Sequence, residues 1–493
     1  MTRGPWEMVV GLEVHVQLRT RTKAFCSCSA AYGGAPNSNT CPICLALPGT
    51  LPVLNLGAVE LAVRTAHALG CTVHHTSVFA RKNYFYPDLP KGYQISQHDR
   101  PLATEGKLSI GTKADGSPLR IGITRVHLEE DAGKSIHDRY LGATAIDLNR
   151  AGVPLIEIVS EPDIRSAAEA AAYLRTLKQL LEYLDVSDVS MEEGSLRVDA
   201  NVSAREAGET TLGTKTEVKN MNSFSGVERA LELEFARQCA QLERGEPVLQ
   251  QTMLWDSATG TVRPSRTKEG SDDYRYFPEP DLPPLVLDPA WCAMVKDKMP
   301  ELPAARRARF AALGLGEYDV EVLTASPALS EYFEGVQRQH GDAKAAANWV
   351  MGDVRAALNR GVGMAQDTGV ETDVARGIAR FSVRPADLAR LLDLVRDRIV
   401  SHAAARKIFA VMVETGERPE TVAEREGLRQ VADDSALSAF IDQALAEHPA
   451  EATRYLAGER KLQGVLVGFV MKLSKGSADP KAVNQLLAAR VGG

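Results

Sequence analysis

Strict alternation of apolar and polar residues constrains the fold of this chain most strongly. Between Val10 and Leu18 every second residue is apolar, and the residues between them are glycine, glutamate, histidine and glutamine. Because successive side chains of a strand point to opposite faces, the pattern predicts a strand with one buried face. Glu13 and His15 would lie together on the other face, about 7 Å apart at a spacing of two residues.

The same alternation recurs in two later segments, 196–203 and 215–219, where polar residues such as Asp199 again occupy every second position. In a further segment, 155–161, Glu157 and Glu161 share a parity. Four such strands predict a largely antiparallel sheet with one face in the core and one face crowded with acids, bases and amides. Charged residues rarely align on four strands without a purpose, so we interpret the open face as a functional site.

The densest group of charged residues reads Arg-Val-His-Leu-Glu-Glu-Asp-Ala-Gly-Lys-Ser over 125–135 and follows another apolar run. Adjacent carboxylates repel one another, so folding alone does not account for them. A hard cation such as Mg²⁺ would, because it binds carboxylates together with phosphate oxygens; a solvated turn is the alternative. The end of the segment is not a phosphate-binding loop, because Leu128 stands where that motif needs glycine.

Two further segments combine aromatic and charged residues. Segment 81–94 has four aromatics and three cations among prolines, which is typical either of a packed aromatic loop or of a loop that faces a nucleotide or RNA. Segment 268–281 adds carboxylates. A solvated turn would not need its Tyr274, Tyr276 and Phe277, so we interpret this segment as functional.

Four of the seven cysteines form a Cys-x-Cys and a Cys-x-x-Cys pair at Cys26, Cys28, Cys41 and Cys44. Twelve residues separate the pairs, a spacing that can close a tetrahedral four-thiolate zinc site. The intervening loop is poor in apolar residues, so a structural metal would supply its order. A redox pair is the alternative.

Helical periodicity predicts helices at about 56–70, 166–184 and 224–243. The last two of these helices would cover the buried face of the sheet and give an α+β domain over residues 1–294.

From about residue 295 helical patterns continue without alternation, which predicts a helical domain at 295–400 and a helical tail at 401–493. The tail ends in a basic surface that includes Lys472 and Lys475. This surface suits a nucleic-acid backbone, although a solvated basic helix end would look the same.

The composition is ordinary for a globular protein, and the net charge of −7 disfavours indiscriminate nucleic-acid binding. No segment has 18 uncharged apolar residues, and residues 1–7 do not resemble a signal peptide. We therefore expect a cytoplasmic protein.

Long segments distributed along nearly the whole chain resemble one known family. They are Val-Gly-Leu-Glu-Val-His-Val (10–16), Arg-Lys-Asn-Tyr-Phe-Tyr-Pro-Asp (81–88), His-Leu-Glu-Glu-Asp-Ala-Gly-Lys-Ser (127–135), Asp-Leu-Asn-Arg-Ala-Gly-Val-Pro-Leu-Ile-Glu-Ile-Val-Ser-Glu-Pro-Asp (147–163), Met-Glu-Glu-Gly-Ser-Leu-Arg (191–197), Lys-Glu-Gly-Ser-Asp-Asp-Tyr-Arg-Tyr-Phe-Pro-Glu-Pro-Asp (268–281) and Leu-Val-Gly-Phe-Val-Met-Lys-Leu-Ser-Lys-Gly (466–476). The sequence in these segments resembles the GatB family, the B subunits of aspartyl/glutamyl-tRNA amidotransferases.

The resemblance implies an enzyme that uses ATP to phosphorylate the side-chain carboxylate of Asp-tRNA(Asn) or Glu-tRNA(Gln). Ammonia then displaces the phosphate. It also implies a cradle-like catalytic domain that holds Mg²⁺ and a tail that binds tRNA. The implied partners are an amidase, which makes ammonia from glutamine, and a small third protein that completes a heterotrimer.

The resemblance further implies roles for individual residues. Mg²⁺ ligands are expected at Glu13, His15 and Glu130, and Lys268 and Asp272 are expected to join them in catalysis. Contacts to the nucleotide are expected from the following residues: Arg81, Lys82, Asn83, Tyr84, Lys134, Asp199 and Arg275.

The chain departs from the family pattern in one place. It reads Gln-Thr-Met-Leu-Trp-Asp at 251–256, where the family often has Glu-Thr-Arg, so a role for that arginine is in doubt. Some family members also lack the four cysteines, which makes zinc peripheral to the chemistry.

Two other functions are open at this point. One is a freestanding ATP-dependent ligase or kinase with its own source of the nucleophile. The other is a non-catalytic tRNA-binding scaffold, which would have no use for a metal site among carboxylates.

Overall fold

The computed structural model divides the chain into two compact units, Met1–Pro303 and Ala304–Gly493. It describes residues 2–265, 274–361, 377–429, 434–474 and 478–491. Within these ranges no helix combines the length and the apolar character needed to cross a membrane.

The first unit contains every strand of the described chain. The strands are β1 (Thr2–Arg3), β2 (Trp6–Gln17), β3 (Thr72–Val73), β4 (Thr76–Ser77), β5 (Ala80–Asn83), β6 (Tyr93–Ser96), β7 (Ala103–Thr112), β8 (Pro118–Glu130), β9 (Lys134–Tyr140), β10 (Ala143–Asp147), β11 (Pro154–Ser160), β12 (Leu196–Glu206), β13 (Thr216–Met221), β14 (Thr252–Asp256), β15 (Thr261–Pro264), β16 (Phe277–Pro278) and β17 (Leu285–Val286).

One ten-stranded sheet dominates this unit. Its strands follow the order β15-β14-β13-β12-β2-β11-β8-β7-β3, and β1 adds to β2. All pairs are antiparallel except β13 with β14. β2 lies at the centre of the sheet, and its alternating valines and leucines are fully buried on one face, as the alternation predicts.

Helices cover the buried face of the sheet, as the sequence predicts. They are α1 (Leu56–Ala68), α2 (Ala167–Tyr183), α3 (Phe224–Glu243) and the shorter α4 (Pro289–Asp297). Leu177 and Leu181 of α2 join the valines of β2 in a single hydrophobic core. The start of α2 is fixed locally, because the Ser166 hydroxyl accepts a hydrogen bond from the Glu169 backbone N–H. The predicted α+β class is confirmed.

In the second unit the described residues form helices only. They are α5 (Pro303–Ala312), α6 (Glu317–Leu323), α7 (Pro327–His340), α8 (Ala343–Trp349), a π-helix (Val350–Val354), α9 (Arg355–Gly361), α10 (Pro385–Arg396), α11 (His402–Thr415), α12 (Pro419–Arg425), α13 (Asp434–Glu447), α14 (Pro449–Leu456), a 3₁₀-helix (Arg460–Leu462), α15 (Gln463–Leu473) and α16 (Pro480–Val491).

Two hydrophobic cores organise these helices. One runs from Phe310 to Leu428, and the other joins residues between Leu437 and Leu487. The boundary expected at residue 400 lies inside the first of these cores, and the division into three domains stays a prediction. Lys472 lies in the last turn of α15, whereas Lys475 lies outside the described residues.

Candidate active site

Strand register places the polar residues of the open sheet face in rows. His15 of β2 pairs with Glu157 of β11 on one side and with Arg197 of β12 on the other, and Glu157 pairs in turn with His127 of β8. The neighbouring row contains Glu13. The open face expected from alternation is therefore the face that the strands build.

The first cluster on this face consists of His15, Glu129 and Glu157. The His15 Nε2 atom lies 3.7 Å from Glu129 Oε1 and 3.6 Å from Glu157 Oε2. Each residue offers one ligand atom, and these atoms lie within 4.8 Å of one another. The two glutamates are buried, while His15 is partly exposed. An imidazole and two carboxylates that converge in this way can hold a divalent cation.

A buried histidine stabilises the two glutamates of this cluster. His127 Nε2 lies 3.1 Å from Glu157 Oε2, and burial alone would lower its pKa. The carboxylates of Glu157 and Glu129 outweigh burial and raise the pKa of His127 to about 9. Burial likewise would raise the pKa of Glu157, but His127 holds that pKa well below its usual range. Both glutamates are thus kept ionised, as metal ligands must be.

The second cluster consists of Glu13, Asp199 and Glu217 on the adjacent strands β2, β12 and β13. Its ligand atoms also lie within 4.8 Å of one another. Burial, followed by repulsion from Glu157 and Glu217, raises the pKa of Glu13. Lys219 donates to Asp199 Oδ2 at 3.0 Å and lies 3.0 Å from Glu217 Oε1. This cluster is therefore partly neutralised already, and a bound cation would relieve the repulsion that remains.

Glu130 lies in neither cluster, and Glu13 and His15 lie in different ones, so the three expected Mg²⁺ ligands do not converge; their role as ligands stays a prediction. Glu129 and Glu130 are neighbours on β8, and their side chains point to opposite faces of the sheet. Glu130 pairs with Lys91 and accepts the Ile95 backbone N–H at 3.0 Å. Glu129 takes the place next to His15 that the family resemblance implied for Glu130.

A third acidic residue of the 125–135 segment anchors an arginine. Asp131 is buried and accepts two hydrogen bonds from Arg197, at 2.9 and 3.0 Å. Gln17 donates to the same carboxylate at 2.7 Å, and Arg150 lies 3.7 Å away. The arrangement fixes the guanidinium of Arg197, a residue that pairs with His15 in the strand register.

The segment 81–94 forms β5, a turn and β6 rather than an entirely irregular loop. Arg81 makes a bidentate ion pair with Glu279 and stacks over the ring of Tyr93. Asn83 donates to the backbone carbonyl of Arg275 at 2.6 Å. Two of the expected nucleotide contacts are thus engaged in holding β5 to residues 274–281.

Lys82 and Tyr84 lie nearer to the acidic face. Lys82 Nζ lies 4.7 Å from the centre of the Tyr274 ring. Burial would lower the pKa of Lys82, but the charges of Glu129 and other acidic groups outweigh burial and raise it. Burial raises the pKa of Tyr84. Lys82 is therefore a fixed cation facing the first cluster.

The remaining expected site residues fall in different places. Lys134 is exposed at the start of β9, which pairs with β10 in a separate two-stranded sheet. Asp199 belongs to the second cluster. Lys268 and Asp272 lie outside the described residues. The catalytic and nucleotide-binding roles of all these residues stay predictions.

The four cysteines converge as their spacing predicts. Their sulfur atoms lie within 4.8 Å of one another, with Cys26 and Cys44 at 3.6 Å. A hydrogen bond from Cys26 lowers the pKa of Cys44 to about 4, and Lys23 Nζ lies 3.4 Å from the Cys44 sulfur. Four convergent thiols of this kind are a ligand set for a soft metal site, consistent with zinc.

Sequence reasoning assigned no individual role to several residues of the site, which are Glu129, Glu157, His127, Glu217, Lys219 and Arg197. The parity of Glu157 and Glu217 on their strands could have identified them as members of these clusters. The parity of Glu161 was misleading as a sign of a residue on the open face, because β11 ends at Ser160 after a shift in register. Glu161 instead accepts a hydrogen bond from Thr124.

Comparison with known proteins gives a consistent result over the whole chain. Residues 8–293 match the family model described as the GatB/GatE catalytic domain, and residues 331–491 match the model described as the GatB domain.

Curated relatives cover almost the full length. The chain is 49% identical over 490 residues to the B subunit of an aspartyl/glutamyl-tRNA(Asn/Gln) amidotransferase from Syntrophotalea carbinolica, covering 99% of each chain. It is 50% identical over 490 residues to the protein of the same name from Chlorobium chlorochromatii, covering 99% of this chain and 100% of the relative.

Proposed function

Because the chain belongs to the GatB family, we propose that it is the component of a tRNA-dependent amidotransferase that activates and amidates the substrate. Its substrates would be Asp-tRNA(Asn) or Glu-tRNA(Gln), ATP and ammonia. The observation that carries the proposal is the presence of two carboxylate clusters on one face of the sheet. A scaffold that only binds RNA would gain nothing from concentrating acids there, since they repel phosphates.

The proposed reaction has two steps. A side-chain carboxylate oxygen of the aminoacyl group attacks the γ-phosphorus of ATP, and ADP leaves. The nitrogen of ammonia then attacks the activated carbonyl carbon, phosphate leaves, and the nitrogen loses a proton. The product is Asn-tRNA(Asn) or Gln-tRNA(Gln).

The donor sets fit hard divalent cations such as Mg²⁺. His15, Glu129 and Glu157 would hold one ion, and Glu13, Asp199 and Glu217 would hold another. Bound there, the ions would neutralise charge on the phosphates during transfer. Imidazole is a less usual partner for Mg²⁺ than carboxylate, but the two glutamates beside His15 supply the hard oxygen ligands.

The protein's own cations complete the site. His127 keeps Glu129 and Glu157 ionised and in place, and Lys82 faces the same pair. Arg197, fixed by Asp131, lies beside His15 and could orient an anionic group of the substrate. Such fixed charges are already oriented before the reaction, which is how proteins accelerate phosphoryl transfer.

The four cysteines are assigned to a structural zinc ion, because a four-thiolate site leaves no position for substrate. The relatives are named as B subunits, so the chain would work within a larger complex. Its partners there would be the amidase and the small third protein, in the cytoplasm. The helical end of the chain, including Lys472, would bind the tRNA.

The test uses the purified three-protein complex of this chain, the amidase and the small third protein, with each misacylated tRNA in turn. We expect ADP formation and amidation to be coupled when either glutamine or ammonium is supplied. Glu157→Gln should abolish both with ammonium while glutamine hydrolysis by the amidase persists. Amidation without ATP, or by the Glu157→Gln complex at the normal rate, would refute the proposal.

A further inference from the structure

A bulge in β8 sets two polar residues, Thr124 and Arg125, apart from the core. Val159 of β11 pairs with Arg125, whereas the next residue, Ser160, pairs with Ile123, so Thr124 is the extra residue. Ile123 and Val126 both lie in the hydrophobic core, and the two residues between them do not. The bulge therefore directs Arg125 as well as Thr124 away from the core, a device common beside active sites.

Arg125 differs from two other partly buried arginines of this sheet, Arg197 and Arg205. Arg197 pairs with Asp131, and Arg205 pairs with Glu7. Arg125 is half-buried, its Nε atom is buried without a hydrogen-bond partner, and it makes no ion pair with any residue in the described ranges.

An arginine in this state needs an explanation. A buried charged donor without an acceptor costs more free energy than a neutral one, and such groups are rare in native proteins. Thr124, its neighbour in the bulge, does have an acceptor in Glu161 at 2.8 Å. The unpartnered Nε–H is therefore specific to Arg125 within the bulge and not a general property of it.

The register places Arg125 in the row of the second cluster. Arg125 pairs with Val159, Val159 with Glu13, and Glu13 with Asp199. Two strand spacings put the backbone of Arg125 about 10 Å from that of Glu13, a distance that an extended arginine and a bound anion bridge together. Guanidinium presents a planar fork of N–H donors that matches phosphate and carboxylate oxygens.

We propose that Arg125 binds an oxyanion of the substrates beside the cluster of Glu13, Asp199 and Glu217. The oxyanion is either a phosphate of the nucleotide or the side-chain carboxylate of the aminoacyl group. This assignment rests on the proposed function for the identity of the substrates. The anion provides the acceptor that Arg125 lacks. The negative charge of the anion is then balanced jointly by Arg125 and by the cation proposed at the neighbouring cluster.

The experiment compares Arg125→Gln and Arg125→Lys with Arg120→Gln, a matched control at an exposed position of the same strand. Calorimetry of the complex measures the Kd of a non-hydrolysable ATP analogue with Mg²⁺, and steady-state amidation measures the KM for misacylated tRNA. We expect Arg125→Gln to weaken one of the two by at least about tenfold, with Arg125→Lys intermediate because it keeps charge but loses the fork. Weaker binding of the ATP analogue would identify a nucleotide phosphate as the anion that Arg125 binds. A raised KM for misacylated tRNA with an unchanged Kd would identify the side-chain carboxylate.

Thermal melting of the unliganded complex separates a binding role from a structural one. Removing a buried donor that has no acceptor should leave Tm unchanged or raise it, whereas loss of a structural contact would lower it. Unchanged Kd and KM in Arg125→Gln would overturn the inference, and so would an equal weakening of Kd or KM in Arg120→Gln. In either case amidation by the wild-type complex would still uphold the proposed function. If the wild-type complex failed to amidate, the Kd of the analogue would still decide whether Arg125 binds a phosphate.

Discussion

The cysteine cluster and the carboxylate clusters are both able to hold metal, but the chain builds them in opposite ways. The four cysteines lie on a loop, within 19 residues of one another, and converge with little help from the sheet. The carboxylates come from five strands, and their positions depend on register over more than 200 residues.

The two regions also differ in the charges around them. Within the described residues, Lys23 is the cation that approaches the thiols, at 3.4 Å from Cys44. Around the carboxylates, His127 and Lys219 are each held between two acids, and Glu129 raises the pKa of Lys82 against the effect of burial. A closed ligand set of soft donors suits a structural role, whereas hard donors on an open face, balanced by protein cations, suit a reaction in which charge moves.

The largest effect is expected at Glu157, which contacts both His15 and His127. Glu157→Gln keeps the shape but removes the charge, so the rate of ATP-dependent amidation should fall about 10³-fold. Rapid-quench measurement of ADP formation with ammonium supplied directly tests this. A loss below about tenfold would place the reaction elsewhere.

Loss of one thiol should act on stability before activity. Cys41→Ser should lower the free energy of unfolding by about 3 kcal/mol, because the metal links the ends of a loop with few apolar residues. Denaturant unfolding and metal analysis are the measurements, with Cys292→Ser as the control outside the cluster. A chain purified without chelator and free of zinc would contradict the assignment.

Glu129 and Glu130 provide the sharpest test of the sheet geometry, because they are adjacent but face opposite ways. Glu129→Gln should weaken Mn²⁺ binding about 100-fold, while Glu130→Gln should change it less than about threefold. Titration followed by electron paramagnetic resonance would show this. Equal losses in the two variants would restore Glu130 as a ligand.

The smallest effect is a pH dependence of stability. The folded pKa of His127 is about 9, above its unfolded value near 6.5, so its contribution is complete below pH 6.5 and is lost as pH rises through 9. In chelator-treated protein the free energy of unfolding should fall by at most about 1.4 kcal/mol per pH unit in this range. His127→Asn should remove the contribution of His127 to this pH dependence. An unchanged slope of the free energy of unfolding against pH in that variant would show that His127 is not held protonated.

Much of the fold could be predicted from local patterns. Alternation along Val10–Leu18 identified β2 as a strand with one buried face, and helical periodicity located α1, α2 and α3 to within a few residues. These predictions succeeded because burial of one face requires a period of two in a strand and of about 3.6 in a helix. The family resemblance also followed from the sequence alone, since its segments are long and contiguous.

The sequence by itself determined that acids, histidines and thiols would be concentrated in particular segments, and which strand positions share a face. It did not determine which carboxylates meet. That choice depends on register between strands far apart in the chain, on the bulge that separates Ile123 from Val126, and on Lys91, which pairs with Glu130. Only the tertiary structure decides these contacts, because local patterns specify the face of each strand but not its partner or its offset.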